Sequence, residues 1–170
     1  MVLLAAIVMF FAALSSAFIV RRGLSDDWLH TPLPNVIWFS TAVLLASSAA
    51  LEFARRELKA GKRERFNQLW ILGSALGVIF LLGQYVTWRA LNAQGVYLAT
   101  NPSSSFFYVL TAAHAVHLIG GVLALLYVSA QALRLQLGPG KRTAVDVTAI
   151  YWHFLDGLWI YLFALFLVWG

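Results

Sequence analysis

The chain has 170 residues, 61% hydrophobic and 11% charged, well under the roughly 25% charge of an ordinary soluble domain, which places it in a membrane. It contains no cysteine, which excludes a disulfide framework, a thiolate metal site, a cysteine nucleophile and covalent haem attachment. The formal charge of +5 is gathered between apolar runs rather than along an amphipathic face, so it speaks for orientation in a bilayer and against nucleic acid as a partner.

Five apolar runs follow in order, each near or above the ~20 residues that cross a ~30 Å hydrocarbon core. The first, about residues 1–20, ends at Arg21 and Arg22. It contains Ser15-Ser16-Ala17, but its length, the lack of a basic segment before it and the arginines after it predict a retained span rather than a cleaved signal. Pro32 and Pro34 punctuate the next link. The second run, 35–54, aligns Thr41, Ser48 and Glu52, with Glu52 in reach of Arg55 or Arg56. In the third, 67–91, Gly73 and Gly77 form a small-xxx-small contact continued on the same face by Gln84 and Trp88, a pattern that permits close helix approach. After Pro102, the fourth run, 104–133, places Phe107, Thr111, His114, His117 and Gly121 on one face. Gly138-Pro139-Gly140 precedes the fifth, 144–169, where Asp146, His153 and Asp156 fall within about 80° of arc. Trp152 and Trp159 share a neighbouring face, available to lipid or to a partner subunit. The expected fold is all-α, an integral membrane bundle of five transmembrane helices in a single domain, 1–170, without internal repeats.

Assigning the links to alternate sides puts nine basic residues on one side, namely Arg55, Arg56, Lys59, Lys62, Arg63, Arg65, Arg134, Lys141 and Arg142, and three on the other, Arg21, Arg22 and Arg89. The positive-inside rule then predicts the N-terminus inside and the C-terminus outside. Trp28, Trp38, Trp70, Trp88, Tyr97 and Trp169 lie near predicted span ends, where interfacial belts belong.

A charge at the centre of a span costs about 2.5–3.5 kcal/mol on insertion scales, so such groups face the bundle interior and find partners. His153 and Asp156 are placed to pair at i,i+3. Asp146, about 10 Å nearer the cytoplasm by helical rise, is placed to meet the basic link. The simplest expectation is a structural polar network of Thr111, His114, His117, Asp146, His153 and Asp156, with Trp88, Trp152, Trp159, Arg55 and Arg56 contacting lipid or other subunits. Two alternatives stay open on the residues alone: haem ligation by a pair from His114, His117 and His153, and a proton path through His153 and Asp156. A carboxylate-bridged metal site would want Glu-x-x-His pairs on facing helices, which the chain lacks.

These motifs carry a resemblance. A-I-Y-W-H-F-L-D-G-L-W in the fifth run resembles the last helix of subunit III of haem-copper respiratory oxidases, with its Y-W-H-F-x-D-x-x-W pattern and an acid seven residues before the histidine, here Asp146. S-F-F-Y-V-L-T-A-A-H-A-V-H-L-I-G-G is similar to that family's T-G-x-H-x-x-H with a following glycine, matched by Thr111, His114, His117 and Gly121. W-F-S-T-A-V-L-L-A-S-S and V-M-F-F-A-A-L resemble two further helices, so the likeness covers essentially the whole chain, in the short five-helix form. The resemblance implies an accessory, non-catalytic subunit with no redox centre or metal of its own. Its expected partners are oxidase subunit I above all, also subunits II and IV, with haem and copper in these partner subunits, together with phospholipid. The complex it implies reduces O₂ to water with proton pumping, served by cytochrome c or quinol, in the bacterial cytoplasmic membrane. The resemblance further implies that such a subunit stabilises subunit I, with assistance to O₂ delivery or proton uptake as an expected further role. A place in a nitric oxide reductase is the alternative complex. Two departures stand out: Ile7 occupies the place of the family's buried glutamate, and Ala112 replaces the usual glycine before His114.

Overall fold

A computed structural model describes residues 2–24, 28, 34–99, 101–133 and 142–169. Five helices follow one another: α1 (Val2–Gly23), α2 (Val36–Lys59), α3 (Arg63–Ala93), α4 (Pro102–Leu133) and α5 (Arg142–Trp169). All five are long and apolar enough to cross a membrane, and there is no strand among the described residues. The helices run past the apolar stretches that predict them. At 31 and 32 residues, α3 and α4 extend about 46–48 Å at 1.5 Å per residue, more than the ~30 Å hydrocarbon core requires. The extra residues fall in polar end turns such as 63–66 of α3 and 102–105 of α4, where hydropathy no longer reports on helix. The link holding Gly138-Pro139-Gly140, Arg134 and Lys141 lies outside the described residues, as does Pro32.

Local signals set the visible ends. Gly61, at φ 79°, occupies the left-handed position that closes α2, and only three residues separate α2 from α3, so the two pack as an antiparallel hairpin. At the start of α4, Asn101 caps the helix by accepting the Ser104 backbone N–H at 2.9 Å, one of the donors a helix N-terminus leaves free.

Helices α2, α3, α4 and α5 form a ring in which each touches its two neighbours, and α1 lies outside it against α4 and α5. Glycines set the spacing. A Cβ added at Gly73 would stand 2.7 Å from Leu51 Cγ, and one at Gly83 2.9 Å from Ser40 Cβ, so α2 and α3 are nearly in backbone contact. Gly77 and Gly121 instead make a slot for the indole of Trp152: added Cβ atoms would stand 2.6 Å from its Cη2 and 3.2 Å from its Cε3. The core has two parts. One, between the four ring helices, is built on Leu44, Leu51, Phe80, Trp70, Trp152 and Trp159. The other joins α1 to α4 and α5 through Ile7, Phe11, Phe18, Phe107, Leu162 and Phe166.

Candidate functional site

The densest polar cluster bridges α2 and α5. On α2, Ser48, Glu52 and Arg55 recur at helical spacing and face α5, whose antiparallel course brings Asp146 opposite Arg55 and His153 opposite Ser48. Arg55 donates to Asp146 Oδ1 from Nε at 2.9 Å and its Nη2 lies 2.9 Å from the same oxygen. Its Nη1 donates to Glu52 Oε2 at 2.9 Å, and Arg56 Nε donates to Glu52 Oε1 at 3.1 Å. One turn deeper, Ser48 Oγ and His153 Nδ1 share a hydrogen bond of 2.5 Å. His153 Nε2 stands 3.8 Å from Glu52 Oε2, so the imidazole joins the hydroxyl to the ion chain.

Asp156 is 4% exposed, and its Oδ2 lies 3.9 Å from His153 Nδ1. That is within ion-pair range but beyond hydrogen-bond length. Neither carboxylate oxygen has a hydrogen-bond partner among the described residues. The i,i+3 pairing expected of these two residues is thus present at ion-pair range, while the hydrogen bond of Nδ1 is the interhelical one to Ser48.

The α4 residues sit elsewhere. His114 is 1% exposed, its ring stacks on Trp159 with centroids 5.3 Å apart, and neither nitrogen has a partner among the described residues. His117 has Nδ1 2.7 Å from the Ala113 carbonyl and an edge-on contact with Phe11 at 5.8 Å. Of the six residues expected to form a network, Asp146 and His153 meet α2 and Asp156 stands beside His153, while Thr111, His114 and His117 lie apart from them. The reason is geometric. Helix α4 meets the Trp152 and Trp159 face of α5, a face that also touches α2 through Thr41, while Asp146 and His153 lie on the arc beside it and meet α2 alone.

Trp152 and Trp159, expected to face lipid or a partner subunit, are both fully buried. Trp152 fills the slot between Gly77 and Gly121, and Trp159 donates from Nε1 to Thr41 Oγ1 at 3.0 Å, which in turn donates to the Ile37 carbonyl at 2.7 Å. Trp70, expected at an interface, is also buried and donates to the Leu125 carbonyl at 3.2 Å. Trp88 is half-buried and donates to Thr111 Oγ1 at 3.2 Å. Arg56 is exposed, whereas Arg55 is largely enclosed by its carboxylates. Ile7 is buried among the apolar groups joining α1 to α4 and α5.

A set of hydroxyl bridges at the helix crossings escapes the sequence reading. Ser47 donates to the Gly73 carbonyl at 2.7 Å, Gln84 donates to Ser40 Oγ at 3.2 Å, and Ser74 and Ser129 hydroxyls meet at 3.3 Å. Their signal is the seven-residue spacing of Ser40 and Ser47 opposite the glycines of α3. Among the described residues no group of three or more His, Cys, Asp or Glu is arranged to hold a metal. An axial haem ligand needs a ring nitrogen turned to the iron. The three histidines instead have separate neighbours: Trp159, Phe11 and Ser48.

Comparisons with known proteins agree with this architecture. The family model described as cytochrome c oxidase subunit III matches residues 1–170. The chain is similar to cytochrome c oxidase subunit 3 of Thermostichus vulcanus, 31% identical over 168 residues, covering 91% of this chain and 78% of the relative. It is likewise similar to cytochrome c oxidase subunit 3 of Corynebacterium diphtheriae, 31% identical over 164 residues, 91% and 78% covered. A probable cytochrome c oxidase subunit 3 of Nocardia farcinica is 29% identical over 160 residues, with 92% and 79% covered. A five-helix membrane bundle matched over all its residues by one model belongs to the cytochrome c oxidase subunit III family, the accessory membrane subunits of haem-copper oxidases.

Proposed function

We propose that this chain is subunit III of a bacterial cytochrome c oxidase: a single five-helix domain in the cytoplasmic membrane, N-terminus inside, docked mainly on subunit I, with subunits II and IV in the same complex. Its work is to hold subunit I in its active arrangement while the partner subunits, with their haem and copper, reduce O₂ to water and translocate protons. The observation that carries this reading is the family match along the whole chain. The names of the relatives favour cytochrome c over quinol as electron donor.

Two features of the bundle support a scaffolding role. The Arg55–Asp146 pair and the Ser48–His153 hydrogen bond tie α2 to α5, which are far apart in sequence. An apolar groove of about 310 Å³ between α1, α4 and α5, lined by Leu3, Leu4, Gly120, Ala124, Ile150 and Tyr151, offers an apolar surface to part of a phospholipid acyl chain. The test is purification of the tagged chain from its native membrane in mild detergent. Recovery of a haem- and copper-containing large subunit in equal amount, with O₂ consumption driven by reduced cytochrome c, is expected. Recovery of the chain without any haem-containing partner would overturn the proposal.

A further inference from the structure

The end of the bundle at which α2 turns into α3 carries a cation that the chain does not neutralise. Arg65, in the first turn of α3, is exposed and has neither an ion pair nor a hydrogen bond among the described residues. It stands in a groove of about 430 Å³ lined by Glu57 of α2 and by Arg65, Gln68, Leu69 and Leu72 of α3. The four α3 residues recur at i, i+3, i+4 and i+7, the spacing of one helix face. The grooves between α1, α4 and α5 and between α3 and α4 have no charged residue in their linings, whereas this one holds a cation and an anion.

The lining changes character along the bundle. Leu69 and Leu72 stand about 6 and 10.5 Å beyond Arg65 by helical rise, and Leu72 is half exposed. With the two leucines against acyl chains, Arg65, Gln68 and Glu57 stand at the level of the lipid headgroups. A guanidinium at that level is a hydrogen-bonding partner for phosphate. Glu57 meets one cation, Lys62, whose Nζ is 3.6 Å from Oε2, longer than a hydrogen bond. Its carboxylate therefore has room for a further N–H donor. A choline headgroup has no N–H to give, and a glycerol headgroup offers only neutral hydroxyls, which make weaker bonds to a carboxylate than an ammonium does.

We infer that this groove binds a phospholipid whose headgroup carries both a phosphate and a primary ammonium, that is, phosphatidylethanolamine. Arg65 holds the phosphate, Glu57 accepts from the ammonium, and an acyl chain runs along Leu69 and Leu72. The site is formed by this chain alone, whatever complex it joins.

The test uses the chain with the subunits it brings from its native membrane, purified in mild detergent and returned to phosphatidylcholine vesicles. The vesicles contain a trace of phospholipid with a diazirine in one acyl chain and an ethanolamine, choline or glycerol headgroup. After illumination, adducts are mapped by peptide mass spectrometry. The ethanolamine probe should label residues 65–72 about fivefold more than either other probe, the scale of one exposed charge contact. Arg65→Gln and Glu57→Gln should each lower that labelling by a similar factor of about five. Arg65→Lys, which keeps the charge, and Lys59→Gln, which removes an exposed charge outside the groove, should stay within about twofold of wild type. Equal labelling by the three headgroups, stronger labelling by the glycerol probe, or labelling unchanged in either Arg65→Gln or Glu57→Gln would overturn the inference. If a variant does not accumulate, the comparison of headgroups on the wild-type chain decides.

Discussion

The Trp152 slot makes the most quantitative demand on the fold. In Gly77→Ala the new methyl carbon would stand 2.6 Å from Cη2 and 2.8 Å from Cζ2 of Trp152, closer than carbon atoms approach without displacement. The indole has nowhere to retreat. It is fully buried, and on its other side a Cβ at Gly121 would already be 3.2 Å from its Cε3. The added methyl must therefore part α3 from α5 or push the ring off its rotamer, and overpacking of this kind costs about 1–3 kcal/mol, roughly a 5- to 150-fold loss in the folding equilibrium. Thermal unfolding of the purified chain in detergent, followed by tryptophan fluorescence, measures it. Gly157→Ala is the matched control: the same substitution in the middle of a helix, with open space around it, should be neutral or raise stability by up to about 1 kcal/mol through helix propensity. Trp152→Phe shortens the ring and removes an indole N–H that has no partner among the described residues. Gly77→Ala combined with Trp152→Phe should therefore be less destabilised than the two singly added, with a coupling of about 0.5–3 kcal/mol. Equal Tm for Gly77→Ala and Gly157→Ala, or strict additivity in the pair, would refute the slot.

Three further outcomes follow from the same packing. Asp146→Asn and Arg55→Met should each destabilise the bundle, Asp146→Asn by only about 1 kcal/mol because Asp146 is 42% exposed and screened, and a double-mutant cycle should show the two effects to be coupled. His114→Phe should leave Tm unchanged or raised. It keeps the stack on Trp159 and removes two buried ring nitrogens without partners among the described residues, each a source of desolvation cost of about 1–3 kcal/mol; a fall of several degrees would mean that His114 makes a bond not accounted for. Ile7→Glu, which places a carboxyl among Phe11, Phe107 and their neighbours, should cost about 1–3 kcal/mol even when neutral. It should lower the amount of chain in the membrane, read by immunoblot against the wild type.

What is legible in the sequence follows from what lipid makes costly. Five apolar runs of sufficient length read directly as five helices, and the helical period separates Asp146 and His153 from Trp152 and Trp159 on α5. The clasp between Arg55 and Asp146 is foreshadowed as a meeting with the basic link, because charges near a span must find each other. The burial of Trp152, Trp159 and Trp70 is not legible. Outside and inside of a membrane bundle are equally apolar, so a large aromatic side chain carries no mark of which way it faces. Nor is the partner of Gly77. A glycine announces that something comes close, and only the arrangement of the ring reveals that it is an indole from α5 rather than the neighbouring α2.

Polar residues do carry such a mark, and His153 shows how far it goes. The rule that ionisable groups turn inward places it toward α2, where Ser48 holds Nδ1. The other nitrogen, Nε2, faces Glu52 Oε2 on the same helix at 3.8 Å. His114 offers the contrast. It is wholly enclosed, and with no free edge it has nothing to present to another subunit. Of the two, the half-exposed histidine is the one that ties helices together, since its ring meets both Ser48 and Glu52 of α2.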